Sequence, residues 1–145
     1  MAFPNQVPPR WAEGGRIKVQ GIAALGVGAV SDINKIVCAV PKNMRATGVR
    51  VYQQADITGT GLTMDLLVRT AAGATGSSLI ASAVSLNVAD AAAGKAGQEA
   101  TLTATIANRD LSEGQLIEAV FDATSVTAGP GDVLVEIEGI PLVAL

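Results

Sequence analysis

Apolar and polar residues alternate with a period of two along most of this 145-residue chain, and Gly, Asn, Asp or Ser breaks the pattern about every ten residues. Successive side chains that face opposite ways describe antiparallel strands, and the pattern leaves little room for helix. A first strand is expected at Arg16–Gln20, continuing loosely through the glycine-rich GIAALGVGAV. A second, Asn34–Val40, is a nearly continuous apolar run stopped by Pro41, and in a third, Gly48–Gln54, Val49 and Val51 oppose Arg50 and Tyr52. After a turn at Asp56-Ile-Thr-Gly-Thr-Gly, Leu62, Met64, Leu66 and Val68 share one face, with Thr63, Asp65 and Arg69 on the other. The loop AAGATGSS leads to a short strand at Leu79–Val84. Strong alternation returns where Thr101, Thr103 and Thr105 interleave with Leu102, Ala104 and Ile106. Two more strands follow at Gln115–Ala123 and, past the turn Gly129-Pro-Gly-Asp, around Val133, Val135 and Ile137. The segment Val88–Gly97 reads as either a pair of helical turns or a small-residue loop, and Gly94 and Gly97 favour the loop. The expected architecture is all-β: an antiparallel β-sandwich or jelly roll of about eight strands over residues 16–145, without the Cys–Trp–Cys landmarks of an immunoglobulin domain.

Residues 1–15, MAFPNQVPPRWAEGG, follow a different rule. Pro4, Pro8 and Pro9 remove backbone donors and push the preceding residues toward extended geometry, so this stretch reads as an arm. It nevertheless holds Phe3 and Trp11, two of the chain's four aromatic residues. Burying an indole stabilises by roughly 4–6 kcal/mol at most, a gain lost if the arm stands in solvent. The arm is expected to lie on a neighbouring subunit or larger assembly, or to fold back over the chain's own sheet edge. Its candidate partner-binding residues are Phe3, Val7 and Trp11 as anchors, Pro4, Pro8 and Pro9 as stiffeners, and Arg10 and Arg16 as charge contacts.

Composition excludes much chemistry. The chain has no histidine and a single cysteine, Cys38, so neither a Ser–His or Cys–His nucleophile nor a closed zinc site can be assembled. Cys38 stands among Ile36, Val37, Ala39 and Val40, where a buried, inert thiol is expected. Gly26-Val-Gly28-Ala-Val-Ser31 lacks the following helix of a dinucleotide fingerprint, and Gly73-Ala-Thr-Gly-Ser-Ser lacks the lysine of a phosphate loop. No cofactor, metal or catalytic residue is assigned. Glu118 with Asp122, and Glu136 with Glu138, could in principle form a glycosidase carboxylate pair. With so few aromatic residues to hold a sugar, they read instead as solvated charges on an outer sheet face. Residues through Arg69 sum to +4 and those from Thr70 onward to −7. That asymmetry reads as an ordinary mixed surface or as a basic docking side opposite an acidic one. The chain has no Lys/Arg cluster or aromatic platform for nucleic acid, and its longest apolar run, Gly21–Val30, is half a membrane span. With no charged and apolar leader in MAFPNQ, a soluble product of the cytoplasm, or an assembly built from one, is expected.

The stretch SSLIASAVSLN…GQEATLTATIANRDLSEGQLIEAVFDAT, with GTGLTMDLLVRT before it, resembles the small jelly-roll decoration or cement proteins of tailed bacteriophages, over roughly residues 48–145. The resemblance implies a non-enzymatic virion protein on the capsid exterior, made in the host cytoplasm, bound to the major capsid protein and commonly trimeric. In that group an N-terminal arm reaches across joints between capsomers, and residues 2–15 would be its counterpart here. Other expectations stay open beside it: a tail, collar or head-tail connector component, or a glycan- or receptor-binding jelly roll presenting Tyr52 and Phe121 at one loop end.

Overall fold

The computed structural model of the protein describes residues 15–70, 74–86 and 97–142. The expected arm lies outside these apart from Gly15, as does the Val88–Gly97 segment apart from Gly97. Among the described residues ten strands form in chain order: β1 Ile17–Ala24, β2 Ile33–Ala39, β3 Met44–Gln53, β4 Thr58–Arg69, β5 Ser77–Ser78, β6 Val84–Ser85, β7 Gln98–Ala100, β8 Asp110–Leu111, β9 Leu116–Ala128 and β10 Asp132–Pro141. They make two antiparallel sheets, β1-β10-β3-β7 with β8 also on β3, and β2-β9-β4-β5 with β6 also on β4. Pairing is nested from the ends inward: β1 with β10, β2 with β9, β3 with β7 and β8, β4 with β5 and β6. This is the jelly-roll order expected, with β6 and β8 as short additions to eight principal strands.

Alternation places the core. Leu62, Met64 and Leu66 of β4 point inward beside Ile117, Ala119 and Phe121 of β9, and all six are fully buried. Val49 and Val51 of β3 and Val133, Val135 and Ile137 of β10 supply the facing layer. Each such aliphatic or aromatic side chain contributes about 1.5–3 kcal/mol when removed from water.

Three expectations about local structure change. The Thr101–Ile106 alternation does not form one strand. β7 ends at Ala100, after which Thr101 to Thr103 leaves β3 and bonds across to the other sheet, with Ala81 N donating to Thr101 O at 2.7 Å and Thr103 N to Leu79 O at 3.0 Å. Ile106–Arg109 then closes as a 3-10 turn. The strand expected at Leu79–Val84 likewise does not form as one piece: β5 ends before it at Ser78, Ile80 makes an isolated bridge to Leu102, β6 begins only at Val84, and both Leu79 and Ile80 are buried in the core. The turn after Asp56 stops before Thr58, and Gly59 belongs to β4, where the register shifts. Its φ of +112° is open to glycine, and a Cβ there would meet the Ser125 carbonyl oxygen.

β1 and β2 are the edge strands of opposite sheets, and they close one side of the sandwich. The approach depends on Gly21, where an added Cβ would meet the Val37 carbonyl oxygen. Gly21→Ala must part the two edges at the backbone. The expected loss is about 1–3 kcal/mol, read as a fall in Tm of roughly 2–4 °C per kcal/mol. A Tm within a degree of the parent would show that the edges are not in contact in solution.

Candidate interaction surface

Nesting also decides the charges. Each of the five ion pairs found among the described residues joins a base from before Thr70 to an acid from after it: Arg16–Glu138, Lys18–Glu136, Arg45–Asp110, Arg50–Glu99 and Arg69–Glu118. The first half of a jelly roll lies beside its last half, so sequence asymmetry becomes cross-strand neutrality. Five bases of the first half are thereby held beside acids of the second.

The four candidate acids are not equivalent solvated charges. Glu118 is 8 % exposed, on the outer face of the β2-β9-β4 sheet, where Arg69 Nε donates to its Oε1 at 2.8 Å and Nη2 lies 2.7 Å away. Glu136 is equally buried on the other sheet's outer face, accepting from Gln20 Nε2 at 2.6 Å with Lys18 Nζ at 3.7 Å. Asp122 is exposed, and Glu138 is half-buried near Arg16. Glu118 and Glu136 thus hold sheet-face ion pairs. Sequence alternation located them on outer faces, but the long cross-strand partners that shield them could be found only from register.

Arg45 and Asp110 form a bidentate pair at 2.6 and 3.0 Å that ties β8 to β3. Hydrogen bonding to the guanidinium lowers the Asp110 carboxyl below its ordinary 3.8. A depressed folded value means that this contribution to stability is complete above 3.8 and is lost as pH falls through the lowered folded value. Asp110→Asn is therefore expected to bring the stability-versus-pH curves of parent and variant together at strongly acidic pH and apart at neutral pH. Denaturant midpoints across that range check it, and a gap that persists unchanged in acid contradicts it. Cys38 is partly buried, and burial pushes its thiol up to about 11.

Two shallow depressions are lined by polar groups. One of about 360 Å³ lies over Gly48, bounded by Thr47, Glu99, Thr101 and Arg109. The other, of about 150 Å³, lies between Thr70, Ser77, Asn108 and Asp110. Among the described residues no group of three or more His, Cys, Asp or Glu could hold a metal ion, and no helix is long and apolar enough to cross a membrane. Phe121 is fully buried between the sheets and Tyr52 is half-buried, so the aromatic loop-end cluster required by the glycan-binding reading is not formed.

Of the eight expected partner-binding residues, Arg16 alone is described. Its side chain is 78 % exposed, 3.8 Å from Glu138 at the start of β1, and so open to a second partner. Phe3, Pro4, Val7, Pro8, Pro9, Arg10 and Trp11 lie outside the described residues. Sequence reading missed a second apolar feature. Ile22, Ile33 and Ile36 are exposed along the β1 and β2 edges, with Val27 at the tip of the connection between them. The apolar run at residues 34–40 signalled burial, whereas β2 lies at a sheet edge and turns Ile36 outward.

No family model and no curated protein matches the chain. Solved structures share its fold, among them two from phage capsids. A chain from the capsid asymmetric unit of cyanophage Pam1 is 20 % identical with a TM-score of 0.58, covering 88 % of this chain and 85 % of that one. A chain from the capsid of Ralstonia phage GP4 is 16 % identical with a TM-score of 0.58, covering 89 % of this chain and 86 % of that one. At these identities the likeness establishes the fold.

Proposed function

We propose that this chain is a non-enzymatic structural protein of a phage virion, of the decoration or cement type, that binds the major capsid protein on the outer surface of the assembled shell and stabilises it. The observation that carries this reading is the near-full-length likeness to two chains from phage capsids. Its residues agree with such a role, since the carboxylates at Glu118 and Glu136 are engaged in ion pairs rather than held for chemistry. Stabilisation would follow from mass action. A ligand of the assembled shell that ignores free subunits contributes about 2.7 kcal/mol per site at a hundredfold excess over Kd.

The working unit is a homotrimer, and three arms acting together raise the effective affinity above that of one. Phe3, Val7 and Trp11 anchor each arm on a neighbouring subunit of the shell, Pro4, Pro8 and Pro9 lower its ordering entropy, and Arg10 and Arg16 add charge contacts. Removing residues 2–15 is expected to leave the β-sheet circular dichroism spectrum intact while abolishing co-sedimentation with particles. An unfolded product would mean that the arm belongs to the domain's own core. Full-length protein found on tails or at the portal vertex instead of the shell surface would assign it to a tail, collar or connector role.

A further inference from the structure

An antiparallel sheet face that meets water carries polar side chains at every second position, and aliphatic residues gathered there mark a face that is covered. The outer face of β2-β9-β4 departs from the polar rule. Strand register sets Ile36 and Leu67 on either side of Glu118, and Leu116 and Val120 stand two residues before and after it on β9. Four aliphatic side chains thus ring one carboxylate, Ile36 being 50 % exposed and the others partly exposed. About 20 Å along β9 from Leu116 the same face turns acidic. Asp122 is exposed there opposite Thr63, and Asp65 lies diagonally across on β4, roughly 7–8 Å away. Asp65 accepts from Ser78 Oγ at 2.7 Å and from Leu66 N at 2.8 Å, but neither it nor Asp122 is in an ion pair among the described residues. Arg69 is matched by Glu118, so the face carries two unmatched negative charges. On the outer face of β1-β10-β3, by contrast, Glu138, Glu136, Asp110 and Glu99 each stand against a base.

We propose that the outer face of β2-β9-β4 seats on the major capsid protein, at a place on the shell that offers lysine or arginine beside aliphatic side chains. This rests on the virion reading above and gives the folded domain a shell contact of its own, separate from the arm. The aliphatic ring around Glu118 supplies burial, and a cation of the shell meets Asp65 and Asp122 and fixes the orientation. Charge decides the partner's chemistry. Covering two carboxylates with an apolar or acidic surface would strip their water without return, whereas a base replaces it. A second copy of this chain is a poor source of that base, because five of the eight Lys and Arg side chains among the described residues are already held by acids of their own domain. Arm and face acting together bind more tightly than either alone. Seated this way, the charge-paired β1-β10-β3 sheet faces away from the shell.

The test is co-sedimentation of the full-length protein with shells assembled without it. Ile36→Ser with Leu67→Thr is expected to raise Kd about tenfold or more, with an unchanged circular dichroism spectrum because both positions lie outside the core. Asp122→Lys, at an exposed position where folding is not at stake, is expected to do the same. Asp65→Asn with Asp122→Asn is expected to flatten the loss of attachment that the parent shows between about 50 and 500 mM salt. Ile22→Ser, on the outer face of the other sheet, is expected to attach as the parent does. Attachment of Asp122→Lys and of the Ile36, Leu67 double variant at the parent's Kd would overturn the proposal and leave the virion reading standing. An equal loss from Ile22→Ser would overturn it as well, since neither face would then be marked. A fall in the oligomeric mass of the free protein on Asp122→Lys would give the face to contacts between copies and overturn it too. A parent that attaches to no shell would sink the virion reading itself, and the proposal with it.

Discussion

Phe121→Ala is expected to lower the free energy of unfolding by about 3–5 kcal/mol, the range for truncating a fully buried ring. Phe121 has no solvent exposure, sits opposite Met64 on β4 and Ile33 on β2, and comes from the middle of the longest strand, so neither neighbour can collapse far into the void. Domains of this kind have a total stability of about 5–15 kcal/mol, which makes the loss a large fraction of the whole. Urea denaturation measures it as a lower midpoint at unchanged slope. The result also tests function. A ring displayed for a glycan at a loop end would be replaceable within about 0.5 kcal/mol, as surface positions are. A loss of that small size would return Phe121 to the surface and reopen the carbohydrate-binding reading.

The second large effect concerns Arg69 and Glu118. Their side chains are 19 % and 11 % exposed, and the guanidinium reaches the carboxylate diagonally across β4 and β9. Arg69→Met removes the cation and leaves a shielded carboxylate among Ile36, Leu67 and the strand backbone, at an expected loss of about 3 kcal/mol, the lower end for breaking a buried pair. Arg69→Met combined with Glu118→Leu is expected to recover most of that loss, since an apolar pair of similar volume carries no desolvation penalty. A double-mutant cycle in urea checks the coupling. If the two single changes simply add, the pair is an incidental surface contact and Glu118 becomes available for another role.

The parts legible in sequence were those governed by local periodicity. The inward faces of Leu62–Val68, Ile117–Phe121 and Val133–Ile137 follow from alternation alone, because in each case one sheet face meets the core for the full length of the strand. Alternation misleads where the chain changes sheets. Thr101–Ile106 keeps its pattern, yet backbone hydrogen bonds to Leu79 and Ala81 take it out of β3's reach, and no local preference encodes that crossing. The Asn34–Val40 run misled for a related reason: an apolar strand can be central or can be an edge with its surface reserved for another chain, and both read alike.

By itself the amino-acid order determined the all-β class and the identity of the core faces, because these depend on which residue types exist and on their spacing along the chain. Tertiary structure alone decided that five bases of the +4 half meet acids of the −7 half as ion pairs, and that Ile22 and Ile36 stay exposed on the edge strands. Both outcomes depend on which strands lie side by side, and nested pairing brings together residues such as Lys18 and Glu136 that are more than a hundred positions apart.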